Sequence, residues 1–140
     1  MNVTLSDDIT VVDWERLLVV FNRAPLGGRS AVGLCEVFTN SGVRCFAWDG
    51  RALIGAGRAI TDGVRYAVIF DVVVLPEYQG KGIGKKIMTF LGERAKAANI
   101  LLYAASGKEG FYQELGYRKM KTAMALFKNP DAQRQWGYIE

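Results

Sequence analysis

Apolar positions change their period several times along the chain, and each change marks an element. Residues 3–5 predict a short first strand. Trp14, Leu17, Leu18 and Phe21 then recur at i, i+3, i+4 and i+7, which is one face of a helix, with Asp13 placed as its N-cap. Pro25-Leu26-Gly27-Gly28 breaks that helix, and residues 30–38 predict a second one, closed by Asn40-Ser41-Gly42. Three strands follow, over residues 43–48, 53–60 and 65–74, joined by tight turns at Asp49-Gly50 and Asp62-Gly63. They form an antiparallel meander. The last of them is almost wholly apolar, so it is expected at the centre of the sheet with both faces buried.

After Pro76 a glycine-rich turn leads into a helix over residues 82–98, with Ile83, Ile87, Phe90, Leu91, Ala95 and Ala98 on one face and Lys85, Lys86, Glu93 and Lys96 on the others. Residues 100–105 predict a buried strand. Because a helix connects it to the preceding strand, parallel pairing is expected. Ser106 and Glu109 have the spacing of a capping box before a short helix that ends at Gly116. Residues 117–121 and 123–127 predict the final strands, and Asn129-Pro130 starts a last short helix. The pattern is α/β (α+β): a mixed, mostly antiparallel sheet of 6–7 strands with flanking helices. A length of 140 residues suits one domain, residues 1–140.

Composition narrows the chemistry. There is no histidine, so a Ser-His-Asp triad, a Cys-His pair and a His-ligated metal are excluded. Cys35 and Cys45 are too few for a four-thiolate zinc site, and no metal is expected. They could form one disulfide. Residues 1–8 carry neither a basic start nor an apolar run, so a cytoplasmic chain with reduced thiols is expected. No apolar stretch approaches the roughly 18 residues of a membrane span. The net charge of +4 favours an anionic ligand without choosing among nucleotide, phosphorylated cofactor and nucleic acid.

The informative segment is Leu75-Pro76-Glu77-Tyr78-Gln79-Gly80-Lys81-Gly82-Ile83-Gly84-Lys85-Lys86: strand end, glycine turn, helix start. Unpaired N–H groups and the positive end of the helix dipole suit a phosphate or pyrophosphate there. A P-loop would need glycine at 79 and a hydroxyl at 86, where Gln79 and Lys86 stand; a dinucleotide fingerprint would need glycine at Lys85. What fits is Gln79-x-x-Gly82-x-Gly84. This resembles the acetyl-CoA loop of the GNAT N-acetyltransferase superfamily, and Gly110-Phe111-Tyr112-Gln113-Glu114-Leu115-Gly116-Tyr117 resembles a second motif of that family at the family's spacing. The resemblance is specific from about Tyr66 to Arg118; the first 65 residues match only in element order.

The resemblance implies transfer of an acetyl group from acetyl-CoA to a primary amine by direct attack in a ternary complex. It places the pyrophosphate against Gln79, Gly80, Lys81, Gly82, Ile83, Gly84 and Lys85, and the pantetheine arm along Val72, Val73 and Val74, next to a bulge that splays this strand from its neighbour. A backbone N–H near Val72 or Val73 would serve the thioester oxygen, and Tyr112 would protonate the leaving thiolate. Asp71 is the candidate for the base or for an anchor of the amine, because a carboxylate inside an apolar run is costly unless used or paired. Its alternative reading is a carboxylate bonded to backbone or to an arginine such as Arg58. Glu36 is a weaker candidate. Phe38, Phe46, Trp48 and Phe70 are core residues that would permit an aromatic or apolar acceptor. A small-molecule amine, a protein N-terminus or lysine, and a non-catalytic acyl-CoA sensor all remain open; spread lysines without a nucleic-acid motif do not favour nucleic acid. Residues 124–127 and Trp136 are placed as a homodimer contact, as the family often uses its C-terminal strands.

Overall fold

In the computed structural model, which describes residues 1–140, the first two helices begin where side-chain caps satisfy their free N–H groups. Asp13 accepts from the N–H of Glu15 at 3.0 Å and of Arg16 at 3.4 Å, and α1 runs Trp14–Arg23. Ser30 accepts from Gly33 N–H at 3.0 Å, and α2 runs Ala31–Asn40. Leu17, Val20 and Phe21 of α1 and Leu34 and Phe38 of α2 are buried.

The chain divides into two compact units, Met1–Leu102 and Tyr103–Glu140. The first holds a five-stranded sheet in the order β1-β2-β3-β4-β5, formed by Val3–Ser6, Val43–Asp49, Ala52–Thr61, Tyr66–Val74 and Asn99–Leu101. All neighbours are antiparallel except β4 and β5, which are parallel, as the intervening helix requires. That helix, α3, runs Ile83–Ala95 and packs against β2, β3 and β4.

Several expectations are corrected. The β2–β3 turn is Gly50-Arg51, one residue later than Asp49-Gly50, since Asp49 pairs with Ala52. Gly50 alone has positive φ, at +60°, which suits a type II′ hairpin. The β3–β4 connection is longer: the Asp62 carboxylate gathers the N–H groups of Val64, Arg65 and Tyr66, an Asx-type loop. α3 stops at Ala95 because Lys96 turns left-handed (φ +52°) and Thr61 Oγ1 donates to the Ala95 carbonyl at 2.7 Å. Ala98 is therefore exposed, Met88 joins the buried face, and Phe90 is half-buried under the Arg94 guanidinium, 3.9 Å from its ring centre. β5 has three residues, Asn99 exposed and Ile100 and Leu101 half-buried, and is not a six-residue buried strand. β4 buries Ala67, Ile69 and Val73, while Val68, Phe70, Asp71, Val72 and Val74 are half-buried.

The second unit carries α4, Glu109–Glu114, and α5, Pro130–Gln135. The capping box does not form: Ser106 Oγ donates to the Trp136 carbonyl at 2.7 Å, and Glu109 accepts from Gly107 N–H at 3.0 Å. Asn129 does cap α5. Residues 117–121 and 123–127 form no strands, so the sheet has five strands rather than 6–7. Alternation alone cannot make a strand without a partner ladder, and Met124 and Leu126 are fully exposed. Both cysteines are free thiols; Cys45 is buried, and burial pushes its pKa up to about 12.

Candidate active site

The entry to the glycine loop is pinned from two sides. Arg23 at the end of α1 grips Glu77 through two bonds of 2.7 Å, and the Tyr78 hydroxyl donates to Asp49 at 2.7 Å. Tyr78 N–H and Gln79 N–H are used in the short turn itself, bonding to Leu75 and Pro76. The next N–H spent on the protein is that of Lys86, which closes the first turn of α3 on the Gly82 carbonyl at 3.1 Å. The N–H groups of Gly80, Lys81, Gly82, Ile83, Gly84 and Lys85 donate to no protein acceptor. Gly80 (φ +76°) and Gly82 (φ +80°) supply the left-handed positions this path needs. Six consecutive free donors, the N-terminal end of α3 and three exposed lysines, Lys81, Lys85 and Lys86, make a strong anion site. A cavity of about 520 Å³ opens beside it, lined by Gly82, Lys85 and Lys86 with Leu5, Thr89, Phe90 and Glu93.

β4 leads into this loop and carries an unpaired edge. It pairs with β5 only from Tyr66 to Val68; beyond that β5 ends. On the other side, the β3 register slips between Ala56 and Arg58, so that Asp71 and Val72 oppose Gly57 alone. This is a β-bulge, and Asp71 has φ +60°. The bonds Asp62 N–H to Tyr66 O and Leu75 N–H to Ile54 O fix the parity of the ladder at its two ends. Phe70 and Val73 therefore face β3, while Ile69 and Val74 face the open edge, and the bulge pair Asp71-Val72 lies between them, outside the regular alternation. Gln79 Nε2 donates to the Val74 carbonyl at 3.0 Å, so its amide ties the loop to that edge. A free strand edge suits an amide-rich, peptide-like arm, and the loop suits a pyrophosphate; the donor set fits acetyl-CoA.

The Asp71 carboxylate is 7% exposed and is bonded by two arginines, Arg29 at 2.5 Å and Arg58 at 2.8 Å. Burial alone would raise its pKa, but the bonds from Arg29 and Arg58 outweigh burial and hold it below the ordinary carboxylate value. Its alternative reading, a carboxylate paired with Arg58, describes it, with Arg29 added; it is a poor proton acceptor near neutral pH. Glu36 is exposed on α2. Phe38 and Phe46 are wholly buried, ring centres 5.3 Å apart, in a cluster with Trp14 and Phe21, and offer no surface to an acceptor; Trp48 and Phe70 are half-buried.

Tyr112 lies in the second unit, on α4. Gly116 (φ +95°) closes the helix: its N–H bonds to the Gln113 carbonyl and Tyr117 N–H to the Tyr112 carbonyl, both at 3.0 Å, which is a Schellman motif. The apolar contact that accompanies such a motif is the Tyr112–Tyr117 pair, 6.1 Å between ring centres. Burial, then the neighbouring Tyr117, raises the pKa of Tyr112, so its hydroxyl keeps its proton at neutral pH.

Sequence reasoning missed Arg29, Arg23 and Glu77, whose partners are 42 and 54 residues away in the chain. One signal was available for the bulge: Gly55-Ala56-Gly57 inside a strand. A Cβ at Gly57 would come within 2.9 Å of Ile87 on α3, and one at Gly55 within 2.7 Å of the Val73 carbonyl.

A family described as acetyltransferase (GNAT) domain matches residues 41–119, a span that covers the bulge, the loop and Tyr112. GCN5-related N-acetyltransferase 2, chloroplastic, of Arabidopsis thaliana is 45% identical over 71 residues, 48% of this chain and 27% of that protein. Serotonin N-acetyltransferase 2, chloroplastic, of Oryza sativa subsp. japonica is 45% identical over 67 residues, 46% of this chain and 34% of that protein. The matched stretch thus spans about a third of these relatives. The fold is shared with a probable acetyltransferase of unknown function from meticillin-resistant Staphylococcus aureus, at a TM-score of 0.78 and 21% identity over 91% of this chain and 99% of that one. The chain belongs to the GNAT acetyltransferase domain family.

Proposed function

We propose that the chain acetylates the primary amine of a small molecule, with acetyl-CoA as donor and residues 1–140 working as one domain. The observation that carries this reading is the run of six uncommitted N–H groups at Gly80–Lys85, continuous with the unpaired edge of β4. When bound, acetyl-CoA supplies an acyl group activated as a thioester. The protein's part is to bind, orient and move protons. The loop amides hold the pyrophosphate, with Lys81, Lys85 and Lys86 adding positive charge. Val72 and Val74 offer backbone groups to the pantetheine arm. Of Val72 and Val73, the second is turned to β3, so the N–H of Val72 is the donor assigned to the thioester oxygen as charge develops there. Tyr112 holds the proton for the departing sulfur. Asp71 is assigned no proton transfer, since arginines occupy both its oxygens; with no histidine in the chain, the acceptor ammonium loses its proton to water.

Thiol release from acetyl-CoA tests this against a panel of amines. The rice relative's name points to serotonin as the first compound; a peptide with a free N-terminus and a lysine peptide complete the panel. We expect turnover with a small amine, and Tyr112→Phe to lower it about a hundredfold. No thiol release above hydrolysis with any amine would overturn the reading, and a Tyr112→Phe variant within about twofold of the parent would remove the acid role.

A further inference from the structure

A buried carboxylate at a left-handed strand position is unusual, because L-residues avoid that conformation and Asp tolerates it only through local bonding. Asp71 is held from two directions. Arg29 donates through both terminal nitrogens, Nη1 to Oδ2 at 3.1 Å and Nη2 to Oδ1 at 2.5 Å, while Arg58 Nε donates to Oδ2 at 2.8 Å. Arg29 immediately precedes Ser30, the N-cap of α2. Arg58 Nη1 reaches Ser41 Oγ, 3.2 Å away at the C-cap of α2, and that hydroxyl donates onward to the Val37 carbonyl at 2.6 Å. The bulge is thus tied to both ends of one helix, directly at the first and through Arg58 at the second. Arg58 also lies over Phe70, 5.0 Å from its ring centre. It therefore touches two consecutive residues of β4 on one face, which a regular strand does not allow and a bulge does.

We infer that Arg29, Arg58 and Asp71 form a positioning clamp: the two guanidinium groups hold residue 71 left-handed, which maintains the bulge and sets the direction of the Val72 amide on the open edge of β4. The inference rests on the acyl-transfer reading for what that amide does, and on geometry alone for the clamp. It makes Asp71 act through the backbone and α2 a strut for the acyl-binding edge.

Two substitutions separate this role from that of a base. Asp71→Gly and Asp71→Ala both remove the carboxylate, but only glycine adopts φ +60° freely. Thiol release is measured for the wild type and both variants, with thermal unfolding to confirm that each is folded. Hydrogen exchange of the Val72 amide is followed in the ligand-free proteins. We expect Asp71→Ala to lose about tenfold in kcat, because the bulged conformer is depopulated by the left-handed penalty. Asp71→Gly should stay within about threefold of the wild type, with wild-type Val72 exchange. Should both variants unfold, Arg29→Ala leaves the inner Arg58 pair in place and is expected to lower kcat several-fold and speed Val72 exchange; wild-type behaviour there would overturn the clamp. Equal kcat losses in Asp71→Ala and Asp71→Gly would also overturn it, since the carboxylate itself would then be the active group. If the wild type releases no thiol with any amine, the acyl-transfer reading has failed, and the exchange comparison decides the clamp by itself: identical Val72 exchange in both Asp71 variants would refute it.

Discussion

Replacing Gly82 by alanine perturbs the loop backbone and little else. Gly82 is the N-cap of α3 at φ +80°, and a Cβ built there meets no atom within 4 Å. The cost is therefore conformational, not steric: about 1–2 kcal/mol for an L-residue in the left-handed region. Alanine also narrows the unfolded ensemble, which offsets about 0.4–1 kcal/mol of that. The net is a loss of about 1 kcal/mol, or a fall in Tm of roughly 3 °C for a chain of this length. Gly27→Ala is the control: it too has open space around the new Cβ, and its backbone is not left-handed, so it should be neutral or raise stability slightly. Thermal and urea unfolding of the three proteins measures the difference, and the same scans with acetyl-CoA measure the loop. If alanine pulls residue 82 out of its turn, the N–H groups of Ile83 and Gly84 turn with it, and the stabilisation by acetyl-CoA shrinks. A Gly82→Ala protein with the wild-type Tm and the wild-type response to acetyl-CoA would refute the claim that the left-handed turn builds the anion site.

The glycines of β3 should both resist alanine, in a fixed order. Gly57→Ala forces a Cβ to 2.9 Å from Ile87 Cγ2 and 3.0 Å from Leu91 Cδ1, buried side-chain carbons that give more readily than backbone, for a loss of about 1–2 kcal/mol; Gly55→Ala meets the Val73 backbone oxygen at 2.7 Å and should lose more. Urea unfolding that ranked Gly57→Ala as the worse of the two would contradict the packing described. Asp71, with its pKa below the unfolded value, contributes stability that is fully present above the unfolded carboxylate pKa near 4 and is lost as pH falls through the folded value. The stability gap between wild type and Asp71→Asn, measured by urea unfolding from neutral pH downward, should therefore be widest above about pH 5 and close in acid; a gap independent of pH would show that the charge on Asp71 is not what the arginines hold.

Local signals in the sequence located the helices, the meander and the glycine loop, because caps and periodicity act over a few residues: Asp13 caps α1 as read, and Asn129-Pro130 starts α5. Errors gathered where a longer-range partner decides. Residues 117–127 alternate like strands but find no ladder, and Ser106 bonds to Trp136, 30 residues away, instead of capping α4. α3 ends three residues early, at Ala95, where neither glycine nor proline marks a stop. The loop was legible at the site because glycine spacing is itself the geometry. The bulge was not, since it depends on Gly57 facing α3 and on Arg29 reaching Asp71 from 42 residues away. Asp71 could be singled out from its apolar surroundings, but only its partners distinguish a clamped carboxylate from a base.

The most direct test of the central claim is thermal unfolding with acetyl-CoA, with free CoA and ATP as controls. At a hundred times its Kd, a ligand of the folded state adds about 2.7 kcal/mol, which is a rise of several degrees here. The structure calls for that rise with acetyl-CoA and with CoA, since both carry the pyrophosphate and the pantetheine arm, and for none with ATP, which lacks the arm that β4 would pair. No rise with millimolar acetyl-CoA, or an equal rise with ATP, would contradict the assignment of the loop and the β4 edge to one acyl-CoA site.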